Sequence, residues 1–380
     1  MLSPTKLLEL THELAGTRVL SVYLETKVTD PAMRNAWRPA LAAAIRSARA
    51  SATDERDLAE LERAAAHLDE PEHMPGGAWA APGWVAFVTA DGVRYVADLP
   101  VTPPTLAAWR DGPFVSPYMR ALKQHRAVIV AVVESGAARL YRYAWRKLEP
   151  LGEMHATEED GRGGKASSHV PRGSAYPAAR GAVGTESADR RRRDAFHRMA
   201  VALGQRIAHL AGDDGWVLVG GTPEWSKHAR DALPRPLEGR VLVSSTLDHD
   251  ASEDAIAREA RHAATELRAA HGQRLVDRLL ERAGGHGRAA AGIPAVQRAL
   301  HARAVDLLLV TPEVVNRHPE DAEELVRAAL AQGADVEVLS EKAAEKLNEV
   351  AEGVGARLRF PIEETMPSEP PEDARAALSG

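Results

Sequence analysis

The sequence contains no cysteine. That removes disulfides, thiolate zinc sites, iron–sulfur clusters and a cysteine nucleophile from consideration. Aromatic residues make up only 4 % of the chain, which disfavours a single-strand binder built on stacking. No run approaches the roughly 18 apolar residues that a membrane span needs. The opening MLSPTKLLELTHELAG breaks its apolar phase with Glu9, His12 and Glu13, so it reads as an amphipathic helix and not a signal peptide. A cytoplasmic location without membrane contact is expected. An excess of positive charge is also lacking: the net charge is −6, although a polyanion responds to local charge and not to the total. The 15 histidines are scattered and none forms H-E-x-x-H, so no metal and no cofactor is expected. There is no G-x-S-x-G elbow either.

What is present is the composition of a globular protein, 44 % hydrophobic and 27 % charged over 380 residues, long enough for two or three domains. Its elements alternate as α/β. The first segment, 1–120, continues from the helix into VLSVYLET, a strand run, then into helical stretches at 31–50 and 54–69. In GWVAFVTADGVRYVADL, Asp91-Gly92 between two apolar runs predicts a hairpin. The proline-bearing PVTPPTLAAWRDGPFVSP reads as the exit from this segment. Residues 121–283 read as three strands, helix, strand, helix, strand, helix. AVIVAVVESGAARLYRYAW folds back at Ser135-Gly136, and KLEPLGEM supplies a third antiparallel strand. Phe196, Met199, Leu203, Ile207 and Leu210 line one face of the helix behind a long basic loop, 156–185. WVLVGG and RVLVSSTL are further strands, with Thr222-Pro223 opening a helix between them. A long helix from about Ser252 carries Ile256, Ala260, Ala263 and Leu267 on one face, and Gly272 marks a kink or a shift of phase. AGGHGRAAAG reads as a linker. Residues 292–361 alternate helix and strand, which predicts a small α/β sandwich with a mostly parallel sheet. The acidic, proline-rich tail 362–380 reads as disordered.

The loop stretch EEDGRGGKASSHVPRGS, residues 158–174, has the glycines and lysine of a phosphate cradle. It fails as a P-loop, because Glu159 stands where the first glycine belongs and Ala166 where a hydroxyl belongs. Its cations say more. From Arg162 to Arg206 the chain carries Arg162, Lys165, Arg172, Arg180, Arg190, Arg191, Arg192, Arg193, Arg198 and Arg206, against Glu186, Asp189 and Asp194. Glycines that admit a backbone and arginine forks that grip phosphate oxygens suit contact with RNA. Arg192, one turn before Phe196, flanks the buried face. The candidate RNA-binding residues are therefore Arg162, Gly163, Gly164, Lys165, Arg172, Arg180, Arg190, Arg191 and Arg193. The same residues also fit a solvated helix face behind a slack loop. His155 and His169 bracket the loop, and VGGTPEW (219–225) is either an anion-friendly turn or a glycine turn for close packing.

The VLSVYLET opening, the long loop between third strand and helix, and the last segment ending in VGARLRF together resemble the bacterial relatives of the archaeo-eukaryotic class-one peptide chain release factor and Pelota. That resemblance implies an N-terminal α/β domain facing the decoding centre. It implies an RNase H-like middle domain whose loop reaches the peptidyl-transferase centre. It also implies a C-terminal α/β sandwich resembling kink-turn-binding ribosomal proteins, which would meet a translational GTPase. In that family the loop tip is Gly-Gly-Gln after Gly-Arg. Here Gly161-Arg162-Gly163-Gly164 match and Lys165 stands where the glutamine would be. An amide both donates and accepts, so it can place a water; an ammonium only donates and favours a phosphate. Some twenty residues separate Lys165 from the expected helix start near Glu186, a spacing too slack to hold a water for hydrolysis. The expected function is a ribosome-associated factor that meets ribosomal RNA at the tRNA site, in rescue or hibernation and not in ordinary termination. Two alternatives stand beside it: a peptidyl-tRNA or RNA cleaving enzyme using Arg162 or Lys165, and a non-ribosomal RNA-binding or stress protein that keeps only the fold.

Overall fold

The computed structural model describes residues 2, 4–27, 36–70, 81–134, 136–156, 180–283, 287–339 and 341–362, with backbone alone for 4, 180–193 and 341–342. They form a mixed α/β fold with three sheets, gathered into two compact units: Met1–Lys123 with Gly272–Gly380, and Gln124–His271.

The N-terminal part runs α1 (Pro4–Glu13), β1 (Arg18–Glu25), α2 (Trp37–Ala48), α3 (Glu55–Ala66), β2 (Gly83–Thr89), β3 (Gly92–Leu99), β4 (Leu106–Asp111) and α4 (Ser116–Gln124). Its antiparallel sheet has the order β3-β2-β1-β4. Leu20, Val22 and Leu24 of β1 pack under α2 and α3, while Val19 and Tyr23 point into the opposite core. Both faces are covered, which is why β2 reads as a continuous apolar run and β1 as one interrupted only by Ser21, whose hydroxyl accepts from the Phe114 amide. The segment expected to leave this domain instead supplies β4, because Pro100, Pro103 and Pro104 all precede the strand and leave its ladder with β1 intact. The hairpin exists, but Thr89 pairs with Gly92, so Ala90 and Asp91 make the turn and Gly92, at φ +142°, opens β3 beside a bulge. Asp57 is the main polar anchor. It accepts from Arg18 Nε and Nη2 at 2.9 and 2.7 Å, Trp109 Nε1 at 2.7 Å and the Thr53 amide at 2.9 Å. Burial alone would raise its pKa, yet the Thr53 amide, Arg18 and Trp109 together hold it down at about 2.

The second unit runs β5 (Val128–Glu134), β6 (Ala137–Ala144), β7 (Lys147–His155), α5 (Arg180–Ala211), β8 (Trp216–Gly221), α6 (Pro223–Asp231), β9 (Val241–Val243) and the first part of α7 (Glu253–Ala283). The element order is the one read from the sequence. The sheet order is β7-β6-β5-β8-β9, with β6 antiparallel to both neighbours and β5, β8 and β9 parallel. Phe196, Met199, Leu203 and Ile207 of α5 cover one face together with α6. Ile256, Ala260, Ala263 and Leu267 of α7 cover the other. RVLVSSTL yields only three strand residues, since Ser244 turns its hydroxyl to the amides of Thr246 and Leu247 and ends the ladder.

Helix α7 does not break at Gly272. Its buried face changes instead, from Ile256–Leu267 in the second unit to Val276 and Leu279 in the first. Then come β10 (Ala289–Ala291), α8 (Ile293–His301), β11 (Val305–Val310), α9 (Pro312–Arg317), α10 (Pro319–Ala331), β12 (Asp335–Val338), α11 (Glu341–Ala351) and β13 (Val354–Leu358). The expected linker thus contains an edge strand. The expected mostly parallel sheet is mixed: in the order β10-β13-β11-β12, only β11 and β12 run parallel, because β13 returns antiparallel beside β11.

The N- and C-terminal parts share one core, in which Leu7, Tyr23, Phe87 and Tyr118 meet Val296, Leu308 and Leu325. Helix α4 is held at both ends. Buried Glu323 of α10 accepts from the Val115 and Ser116 amides at 2.8 and 2.7 Å, and Lys123, only 2 % exposed, reaches Asp335 at 2.9 Å. Those first amides of a helix lack an internal partner, and a carboxylate suits both their hydrogen and the helix dipole.

Candidate RNA-binding site

The residue types expected to meet RNA belong to the second unit. Strand β7 ends at His155 opposite Ala137, and the Ala156 amide donates to the Gly136 carbonyl at 2.8 Å. The chain therefore leaves the sheet beside the β5–β6 hairpin. It returns as α5, which starts at Arg180 and not near Glu186, so 166–179 alone separate Lys165 from a helix. Arg162, Gly163, Gly164, Lys165 and Arg172 lie outside the described residues, as do His169 and the tail beyond 362. Arg180, Arg190, Arg191 and Arg193 lie on α5, with backbone alone described.

The described core contacts of α5 begin at Ala195. Residues 195–211 span about 25 Å, enough to cross a strand of this sheet, and 180–194 add about 22 Å of helix before the first of those contacts. The four consecutive arginines thus precede, in sequence, the first of the described core contacts of α5. Arg198 is exposed, and Arg206 donates to the Leu151 carbonyl at 3.1 Å, which ties α5 to β7. His155 is exposed beside Glu153 at 3.4 Å.

The rim at the hairpin end of the sheet is acidic. His249 lies 2.7 Å from Asp248 and 3.2 Å from Asp250, and its backbone carbonyl accepts from Arg139. The Asp248 hydrogen bond, followed by the Asp250 charge, raises the imidazole pKa. Between strand and helix, Gly221 has φ +114° and a Cβ there would overlap the Val133 carbonyl, while one on Gly220 would come within 2.7 Å of Leu247. Close packing accounts for the VGG turn. Thr222 sits at the N-cap of α6 without a side-chain cap bond. Among the described residues no group of three His, Asp or Glu side chains could hold a metal ion, and no helix is long and apolar enough to cross a membrane.

The opposite edge of the sheet, where β5, β8 and β9 begin, collects cations that sequence reading did not assemble. Arg268 donates to the Gln124 carbonyl at 3.2 Å, and Arg126 meets Asp214 at 3.0 Å with its guanidinium 5.0 Å from the Trp216 ring. Arg240 closes the far side on the Gly212 and Gly215 carbonyls at 2.9 and 3.1 Å. The β6–β7 turn, Trp145-Arg146, completes this edge with both residues in the left-handed region, at φ 58° and 60°. These cations come from four separate stretches, one helix and three connections, and the only trace in the sequence is the Trp-Arg-Lys triplet at a strand junction.

Residues 113–266 match bacterial archaeo-eukaryotic release factor family 10, and residues 269–362 match eRF1 domain 3. The chain carries a family-10 release factor region followed by an eRF1 domain 3. This bears out the resemblance read from the sequence. Pelota homologues of Methanococcus maripaludis strains C5 and C7 are 35 and 34 % identical over 99 residues, 26 % of this chain; the chain spans 28 % of their length. Among solved structures, Archaeoglobus fulgidus Pelota is 18 % identical, with a TM-score of 0.35 over 74 % of this chain and 80 % of its own. Saccharomyces cerevisiae Dom34, a translation termination-like factor interacting with Hbs1, is 11 % identical, with 0.44 over 74 % and 81 %. An archaeal Pelota, ribosome-bound with ABCE1, is 15 % identical, with 0.42 over 95 % of both chains.

Proposed function

We propose that this release-factor-like protein binds the ribosome at the tRNA site and acts in rescue or hibernation, not in ordinary termination. The observation that carries this reading is the departure at the loop tip. Within the family-10 region, Gly161-Arg162-Gly163-Gly164 leads to Lys165 in place of a water-placing glutamine, and the arginine-rich start of α5 follows. A donor-only ammonium flanked by guanidinium groups suits phosphate and not a neutral nucleophile. In this reading Arg162, Gly163, Gly164, Lys165, Arg172, Arg180, Arg190, Arg191 and Arg193 meet the RNA backbone. The functional parts are 1–120, an RNase H-like domain 121–283, and a kink-turn-protein-like sandwich 292–361. The β7-β6-β5-β8-β9 order with an antiparallel second strand supports the middle assignment. The last part would meet a translational GTPase.

Co-sedimentation with ribosomes over a salt series tests the idea. Wild type should bind with a steep salt dependence, and the variant R190A/R191A/R193A should lose about 0.7–0.9 of log–log slope for each phosphate contact removed. No binding at low salt would overturn the proposal. Cleavage of peptidyl-tRNA that disappears in R162A/K165A would favour an enzyme instead.

A further inference from the structure

The edge where β5, β8 and β9 begin carries a chemistry that the proposed role of the 156–185 loop and α5 does not use. At its hairpin end Trp145 is 40 % exposed, and Arg146 and Lys147 follow it. Among the described residues neither cation's side chain makes an ion pair or hydrogen bond. His125 is half-buried near them. Burial, then the charges of Arg268 and Arg146, push its pKa down to about 4, which leaves a neutral imidazole in a positive field at pH 7. The acids of this edge sit elsewhere: Asp213 and Asp214 face Arg126 and Arg240, and Glu149 on β7 stands opposite Arg142.

The backbone adds a second, independent observation. A two-residue hairpin turn with both residues left-handed is ordinarily filled by Asn-Gly, because a bulky side chain there crowds its own carbonyl. Here a tryptophan and an arginine occupy it, and the indole projects into solvent and not into a core. Strain of this sort at an exposed tip marks a surface that does something other than stabilise the fold.

We propose that the β6–β7 tip is a contact for single-stranded RNA, in which Trp145 stacks on a base and Arg146 and Lys147 hold the flanking phosphates. A base offers a flat π face beside a negative phosphate, which matches an open indole beside two cations; an acidic peptide offers the charge without the ring. The contact lies a full strand length from the end of the sheet where the basic loop leaves it. It therefore stands or falls separately from the role given to that loop.

The test titrates the full chain into fluorescein-labelled single-stranded RNA of about 10 nucleotides, a length within the footprint of such grooves. Trp145→Ala should lower affinity about 5- to 150-fold, whereas Trp145→Phe should keep most of it. R146A/K147A should weaken binding and make its salt dependence shallower. Both effects should persist in a chain already carrying R190A/R191A/R193A, which separates the tip from α5. The His125 imidazole, followed by NMR, should titrate higher with RNA bound, because a phosphate then offsets the two guanidinium charges. Melting curves recorded alongside show whether each variant is folded. Wild-type affinity in a folded Trp145→Ala chain overturns the proposal. So does a His125 titration that RNA leaves unmoved, or polyglutamate competing as well as RNA, which would point to an acidic protein segment.

Discussion

Replacing Glu323 with alanine removes the shared acceptor of the Val115 and Ser116 amides, at 2.8 and 2.7 Å. Hydrogen bonds to a charged group contribute about 1.5–3 kcal/mol each. The alanine leaves both amides buried without that partner, and a void where the carboxyl stood. Against this stands the cost of burying the carboxylate itself, which is the main cause of its raised pKa. The net expectation is a loss of about 3 kcal/mol from the unit that contains α4 and α10. For a body of this size that lowers the melting midpoint by roughly 6–12 °C, readable by scanning calorimetry. Glu323→Gln keeps the shape and one acceptor oxygen, but its NH2 faces the second amide, so a loss of about 1–3 kcal/mol is expected. The pH dependence has a definite sign. The native carboxyl holds its proton more tightly than the unfolded chain does, so its contribution to stability is fully present below the ordinary value of 4.5 and is lost as pH rises through the raised native one. Glu323→Gln should flatten that slope. A Glu323→Ala protein melting within about 1 °C of wild type, or a Gln variant with an unchanged slope, would refute the reasoning.

Asp57 titrates in the opposite sense. Its pKa of about 2, against an ordinary 3.8, places about 2 kcal/mol of stability above pH 3.8 that is lost as pH falls toward 2. Asp57→Asn should lose that stability at neutral pH and make acid melting curves less steep in pH. Gly221→Ala must push β5 away from β8 at a left-handed position; a loss of about 3 kcal/mol or more is expected, and melting within about 2 °C of wild type would contradict the packing account. Replacing Trp145-Arg146 with Asn-Gly should raise stability by about 1–2 kcal/mol in chemical denaturation while weakening the RNA titration, so that the two properties move in opposite directions.

Much of this architecture can be read along the chain, because elements covered on one face or both announce themselves by period. The α5 stripe from Phe196 to Ile207 and the apolar run Val128–Val133 of β5 are examples. Elements set by pairing and not by their own composition do not. Strand β10 is three alanines, and only the ladder with β13 makes it a strand. Helix–strand alternation in 292–361 counts strands but does not say on which side each returns, so the antiparallel β13 was invisible. Gly272 was legible as a change of phase and not as an unbroken helix, since the sequence shows which face is apolar and not what continues the backbone. The basic loop and the start of α5 stand out in the sequence because their cations lie close together along the chain. The opposite edge was not, because His125, Arg146 and Arg268 meet only after the sheet has formed.

Because the first unit is built from both ends of the chain, the order of synthesis matters to it. The contiguous stretch 124–271 contains every partner of its own cores up to Leu267 and can close as soon as it is made. The face of β1 and β2 that carries Tyr23 and Phe87 cannot. Val296, Leu308 and Leu325, which cover it, are translated some 200 residues later, about 10–40 s at ordinary elongation rates. During that interval only α1 and α4 cover this face of the nascent N-terminal sheet, and the rest of its apolar surface waits. A chain stopped anywhere before β13 leaves this protein half assembled, with its oldest residues waiting for its newest.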